Sequence, residues 1–184
     1  MRRSLIAFVL GICILTLPRS TDARQLRTTL AILAQDYVII QDQRSPHEVV
    51  MVFWITPQLV GKQPSAEKAK QILTDHALVG VVHAKFDTQG RTNFEKANAP
   101  SLKTLAGRQI KQLTSESISP AAQGVVTVFQ QIFTKTLGPM GQGTKWYVYD
   151  GKPISSCGNG GFFVKFAGVE YDYKTPIPGC PKAK

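Results

Sequence analysis

The chain has 184 residues, 43% of them hydrophobic, and a formal net charge of +10. That length suits one domain with a buried core. The charge points toward anionic partners. The lysines nevertheless stand singly, with no run of four cations, which favours a solvated surface over a dedicated nucleic-acid footprint.

The opening MRRSLIAFVLGICILTLPRSTDARQ carries a basic pair, Arg2 and Arg3, and an apolar run from Leu5 to Leu17 that Pro18 breaks. Small residues at Thr21 and Ala23 complete the layout of a secretory signal peptide cleaved after Ala23. The run falls short of the roughly 20 residues that span a bilayer. Residues 1–23 are therefore expected to leave, and residues 24–184 to form one α+β domain that is periplasmic or secreted and not membrane-spanning. Loss of Arg2, Arg3, Arg19 and Asp22 takes the net charge from +10 to +8. It also leaves two cysteines, Cys157 and Cys180, an even number in an exported chain and so a disulfide.

Gln25 to Gln41 is apolar nearly all round and reads as a helix. EVVMVFWIT, Glu48 to Thr56, is β-branched and aromatic, a buried strand stopped by Pro57. Ser65-Ala66-Glu67 opens a helix with Ala66, Ala69, Ile72, Leu73 and Ala77 on one side, and Leu78 to Phe86 is a second strand. This strand–helix–strand run permits either a parallel crossover or an antiparallel arrangement. A turn at Asp87-Thr88-Gln89-Gly90 leads to a strand around Thr92 to Lys96. Between Ala97 and Ser119 the pattern favours two strands turning at Gly107 over a short helix.

Next comes the clearest helix. Ser119 caps it, Pro120 fits its first turn, and Ala122, Val125, Val126, Phe129, Ile132, Phe133 and Leu137 form one broad stripe before Gly138-Pro139. Residues 24–142 thus mix helix and strand, and 143–184 read as a C-terminal β-meander with a proline-rich tail. The meander starts with Lys145 to Tyr149, turns at Asp150-Gly151, returns as a strand to Cys157, and continues through a glycine-dense turn at Gly158 to Gly161. A two-residue hairpin at Ala167-Gly168 then pairs Phe166 with Val169, Val164 with Tyr171, Phe162 with Tyr173, and Lys165 with Glu170. The prolines of TPIPG lack amide donors, so the Cys157–Cys180 bridge is expected to pin that tail. The fold class is α+β, a mostly antiparallel sheet with helices on one face and a meander stapled by one disulfide.

Chemistry is sparse. His47, His76 and His83 show no helical metal-pair spacing, no serine elbow accompanies them, and the acids are scattered. His83 with a nearby acid, Asp87 or Asp75, is the catalytic candidate, and it would make the protein a small hydrolase. Nothing asks for a cofactor or a metal. Eight of the fifteen mature aromatics follow Lys145, and those on the outer meander face, Tyr147, Tyr149 and Phe163 with Lys165, form a candidate binding surface. The favoured expectation is a non-catalytic binding or accessory module that meets an envelope protein or glycan. An electrostatic binder of anionic polymer is the third reading.

Overall fold

In a computed structural model the described residues are 38–44, 47–61, 63–96 and 98–181. Two antiparallel sheets lie face to face, and helices cover the outer face of the first, so the α+β class holds. The first sheet runs β1 (Val38–Arg44), β2 (Glu48–Ile55), β3 (His76–Phe86). The far edge of β3 is shared: β7 (Lys145–Asp150) pairs along His76 to Val81, and β4 (Thr92–Phe94) along Ala84 to Phe86. The second sheet runs β6 (Gln109–Ile110), β5 (Ser101–Thr104), β8 (Gly160–Phe166), β9 (Val169–Thr175). β2 and β3 are antiparallel, which settles the crossover, and Gly107 turns β5 into β6 with a positive φ of 79°.

Because both faces of the first sheet are covered, β2 and β3 are apolar on both sides, the usual composition of a doubly buried strand. One face of β2 and β3 supplies Val50, Val52, Trp54, Ala77, Val79 and Val81 to the core between the sheets. The second sheet meets them with Leu102, Ile110, Phe162, Val164, Phe166, Tyr171 and Tyr173. At its centre the Trp54 ring sits edge-on to Phe162 at 4.8 Å, and Phe162 stacks on Tyr173 at 5.1 Å. Phe162 is 0% exposed, a burial that stabilises by about 2–3 kcal/mol.

The other face packs against α1 (Glu67–Asp75) and α2 (Pro120–Leu137), which is followed by the short α3 (Pro139–Gln142). Ser119 caps α2 as expected, accepting from the Ala122 amide at 3.2 Å. Phe133 anchors α2, edge-on to Phe53 at 4.9 Å and to Trp146 at 4.9 Å. The α2 stripe is narrower than its sequence suggests. Ile132 and Leu137 are 37% and 38% exposed, since they lie on opposite flanks of the line from Ala122 to Phe133. Among the described residues no helix is long and apolar enough to cross a membrane.

The β8–β9 hairpin has the expected register throughout. Gly161 at its start is required: φ is +150°, and a Cβ there would lie 2.1 Å from the Tyr173 carbonyl oxygen. The meander itself is corrected. β7 joins the first sheet, not β8, because one of its edges pairs with β3 and the other takes residues 111–113: Leu113 N donates to Val148 O at 2.8 Å, and Asp150 N to Lys111 O at 3.0 Å. The expected return strand from Lys152 to Cys157 is irregular, since the Gly151 amide turns away to donate to Asp75 O at 3.0 Å and Pro153 has no amide. Two helix expectations also move. Ala77 belongs to β3, and Val38 to Gln41 belong to β1, while 25–37 lie outside the described residues.

Candidate functional site

The Cys157–Cys180 disulfide forms, spanning 23 residues. It does not hold the tail alone. Ile177 is buried among the residues between the sheets, and its amide donates to Ser156 O at 2.9 Å. From the other side the Gln58 amide Nε2 donates to Cys157 Sγ at 2.9 Å. The bridge therefore knots three segments: the turn at Pro57–Leu59, the loop 151–157 and the C-terminal tail.

The four residues proposed as one aromatic surface fall on two faces. Tyr149 is 1% exposed between the sheets, its hydroxyl donating to the Pro100 carbonyl, and Tyr147 packs against the same core. Phe163 and Lys165 lie on the outer face of the second sheet, where Phe163 stands in register between Lys103 and Asp172, and Lys165 between Ser101 and Glu170. The split follows from β7 changing sheets: the face its alternate residues share with the core carries Tyr147 and Tyr149 inward.

His83 is a cross-strand neighbour of Val50 on the face toward the second sheet, 6.2 Å from the Phe166 ring, so it borders the core rather than standing clear of it. Its acid is Glu48, hydrogen-bonded to Nε2, and both side chains are largely buried. The two aspartates suggested for it are engaged elsewhere. Asp87 accepts from the Arg91 amide at 2.9 Å and the Arg91 guanidinium at 2.6 Å, which together hold its carboxyl below the usual range. Asp75 accepts from Gln71 Nε2 at 3.1 Å on the outside of α1.

A concave feature of the described residues lies elsewhere again. A cavity of about 300 Å³ opens where the end of β2, the end of α1, the start of β3 and the loop 151–156 meet. Trp54, Leu73 and Ala77 form its buried floor, with Ile154 beside them. Thr74, Lys152 and Ser155 stand exposed at its mouth. His76 lines it as well. The loop is held in place by two backbone bonds, Gly151 N to Asp75 O at 3.0 Å and Ile154 N to Gly151 O at 2.8 Å, and by the Gly158 amide donating to the Ser155 side-chain Oγ at 2.9 Å.

Three buried polar atoms at this end have no hydrogen-bond partner among the described residues: His76 Nδ1, and Thr56 Oγ1 and Gln58 Oε1 on either side of the cavity-lining Pro57. Such orphans are uncommon, and they collect at functional sites. Of the hydroxyls nearby, Thr74 donates to Lys70 O at 2.9 Å and Ser155 accepts from the Gly158 amide at 2.9 Å. A nucleophile–histidine pair needs a group that orients the imidazole through its second nitrogen. His76 Nδ1 has none among the described residues. The geometry suits holding a ligand better than activating a hydroxyl. No group of three or more His, Cys, Asp or Glu among the described residues is placed to hold a metal ion.

The chain matches no protein-family model, no curated protein and no solved structure. The site therefore stands on its own chemistry. The cavity is not legible in the sequence, because its outer wall is the loop that was expected to be a strand. The one local signal was a histidine at an α-to-β junction, with both neighbouring segments ending there.

Proposed function

We propose that the protein is a small exported binding protein that holds a small molecule in the cleft between α1 and the loop 151–156. The single observation that carries this is the cleft itself: a cavity of about 300 Å³ with a buried apolar floor, exposed polar groups at its mouth and His76 in its lining. Export is supported by the leader and by the disulfide, a bond that persists in oxidising compartments. The disulfide also supports the binding role, since it ties the end of the cleft's outer wall to the C-terminal tail, and its Cys157 sulfur accepts from Gln58. The partner is accordingly a small molecule of the envelope rather than a protein met on an aromatic face.

Small molecules that co-elute with the oxidised protein from an envelope extract, identified by mass spectrometry, test this. Thr74→Trp, at an exposed helix position on the cleft mouth, should abolish co-elution while leaving the melting temperature unchanged. Equal recovery of the same compound by both proteins would place the ligand elsewhere.

A second reading is favoured by the His83–Glu48 pair, which has the form of a general base with its orienting acid. As a small hydrolase the protein would lose turnover of ester or amide substrates in His83→Ala. As a binder it keeps its ligand in that variant.

A further inference from the structure

The cleft's polarity is graded, and the gradient names a class of ligand. Resting on the cleft as the binding site, we propose that its ligand is a small organic monocarboxylate with a flat apolar body, seated body first. The floor residues Trp54, Leu73 and Ala77 are 3%, 6% and 3% exposed and offer no charge. Lys152 is the one charged side chain among the cavity's described lining residues, and it lies at the mouth. An ammonium there faces an anionic head, while the indole edge and the aliphatic groups below accept a flat body. The volume bounds the size. At roughly 30 Å³ for each water-sized group, about 300 Å³ accommodates about ten non-hydrogen atoms.

His76 supplies the second contact. Its Nδ1 is buried without a partner. An orphaned buried N–H is rarer and costlier than an unfilled lone pair, so the proton belongs on Nε2. The ring is partly exposed and lines the cavity, which leaves the Nε2–H edge to donate into it. His76 and Lys152 thus offer two N–H donors, one for each oxygen of a carboxylate. The neighbouring acids are turned to other work: Asp150 Oδ1 accepts from the Lys152 amide at 3.2 Å, and Asp75 is bonded to Gln71. The positive charge of the whole chain draws an anion toward this mouth.

Phenylacetate, with about ten heavy atoms, and its neutral isostere phenylacetamide separate the head from the body. Each is titrated into oxidised, ¹⁵N-labelled protein, following the Trp54 indole N–H signal. The expected result is a saturable Trp54 shift with the acid binding roughly tenfold tighter than the amide, the worth of one charge-assisted hydrogen bond. Lys152→Ala should remove that difference without weakening the amide, and so should high salt. Equal affinity for the two compounds at Trp54 would overturn the carboxylate while leaving the cleft as the site. No Trp54 shift from either compound, with shifts elsewhere or none, would overturn the proposed ligand class. The co-elution contrast between wild type and Thr74→Trp then decides the cleft separately.

Discussion

The Tyr173 hydroxyl donates to the Val52 carbonyl at 2.9 Å, joining the edge strand of one sheet to the second strand of the other. The bond lies beside the stack of Phe162 on Tyr173, so the ring and its hydroxyl fix the same sheet-to-sheet spacing. Tyr173→Phe keeps the stack and loses the bond. It should lower stability by about 1–2 kcal/mol, read as a lower urea midpoint with an unchanged slope.

Alkaline pH tests the two buried tyrosines together. Burial raises the Tyr149 hydroxyl well above its ordinary value near 10, with a smaller contribution from Tyr147, and burial alone raises Tyr173. Both donate to carbonyls, which only the protonated form can do. A raised folded value means the folded state keeps its protons while the unfolded chain releases them. The stabilisation is therefore complete below about pH 10 and declines above it, by up to about 1.4 kcal/mol per pH unit for each tyrosine. Urea midpoints measured from about pH 9 to 11 should show that decline. The Tyr149→Phe/Tyr173→Phe double variant should be less stable at neutral pH and nearly flat over the same range.

Removing the disulfide separates local from global effects. Cys157→Ser/Cys180→Ser loses a cross-link spanning 23 residues, which the loop-entropy account values at about 3 kcal/mol. Ile177 stays buried, so the fold should persist at room temperature with a lower melting temperature. Ligand recovery should fall further than that loss of stability explains, because the loop 151–156 loses its covalent tie to the C-terminal tail.

Gly151 gives the complementary test inside the cleft. A Cβ there would meet the Asp75 carbonyl carbon and oxygen, each at 2.7 Å, so Gly151→Ala must push the loop off α1. A loss of roughly 1–3 kcal/mol is expected, accompanied by lost binding. By contrast Val128→Glu, on the exposed flank of α2 at 53% exposure, should change stability by less than about 0.5 kcal/mol, while Phe133→Ala, at a partly buried ring, should cost about 2–3 kcal/mol.

These contrasts mark how far the sequence alone reaches. The β8–β9 hairpin is legible in its register, because alternation on both faces and a glycine turn lie close together in the chain, between Gly160 and Thr175. The α2 cap and the two strands around Gly107 are legible for the same local reason. β7 is not. Its partner β3 is about seventy residues upstream, and a strand carries no mark of which distant edge it will meet. The Asp150-Gly151 signal is real as a turn, yet it opens a loop whose amide bonds go to Asp75. From that one misplacement follow both the split of Tyr149 from Phe163 and the unseen cleft. The cleft is made of three stretches distant in the chain, the end of β2, the junction of α1 with β3 and the loop 151–156, each ordinary on its own.

The most direct test of the account is a backbone amide shift map of the oxidised protein as a small-molecule extract of the envelope is added. Ligand held in the cleft predicts shifts gathered at His76, Gly151, Lys152, Ser155 and Ser156 and absent from Thr74→Trp. Shifts gathered instead on Lys103, Phe163 and Lys165, across the outer face of the second sheet, would contradict it.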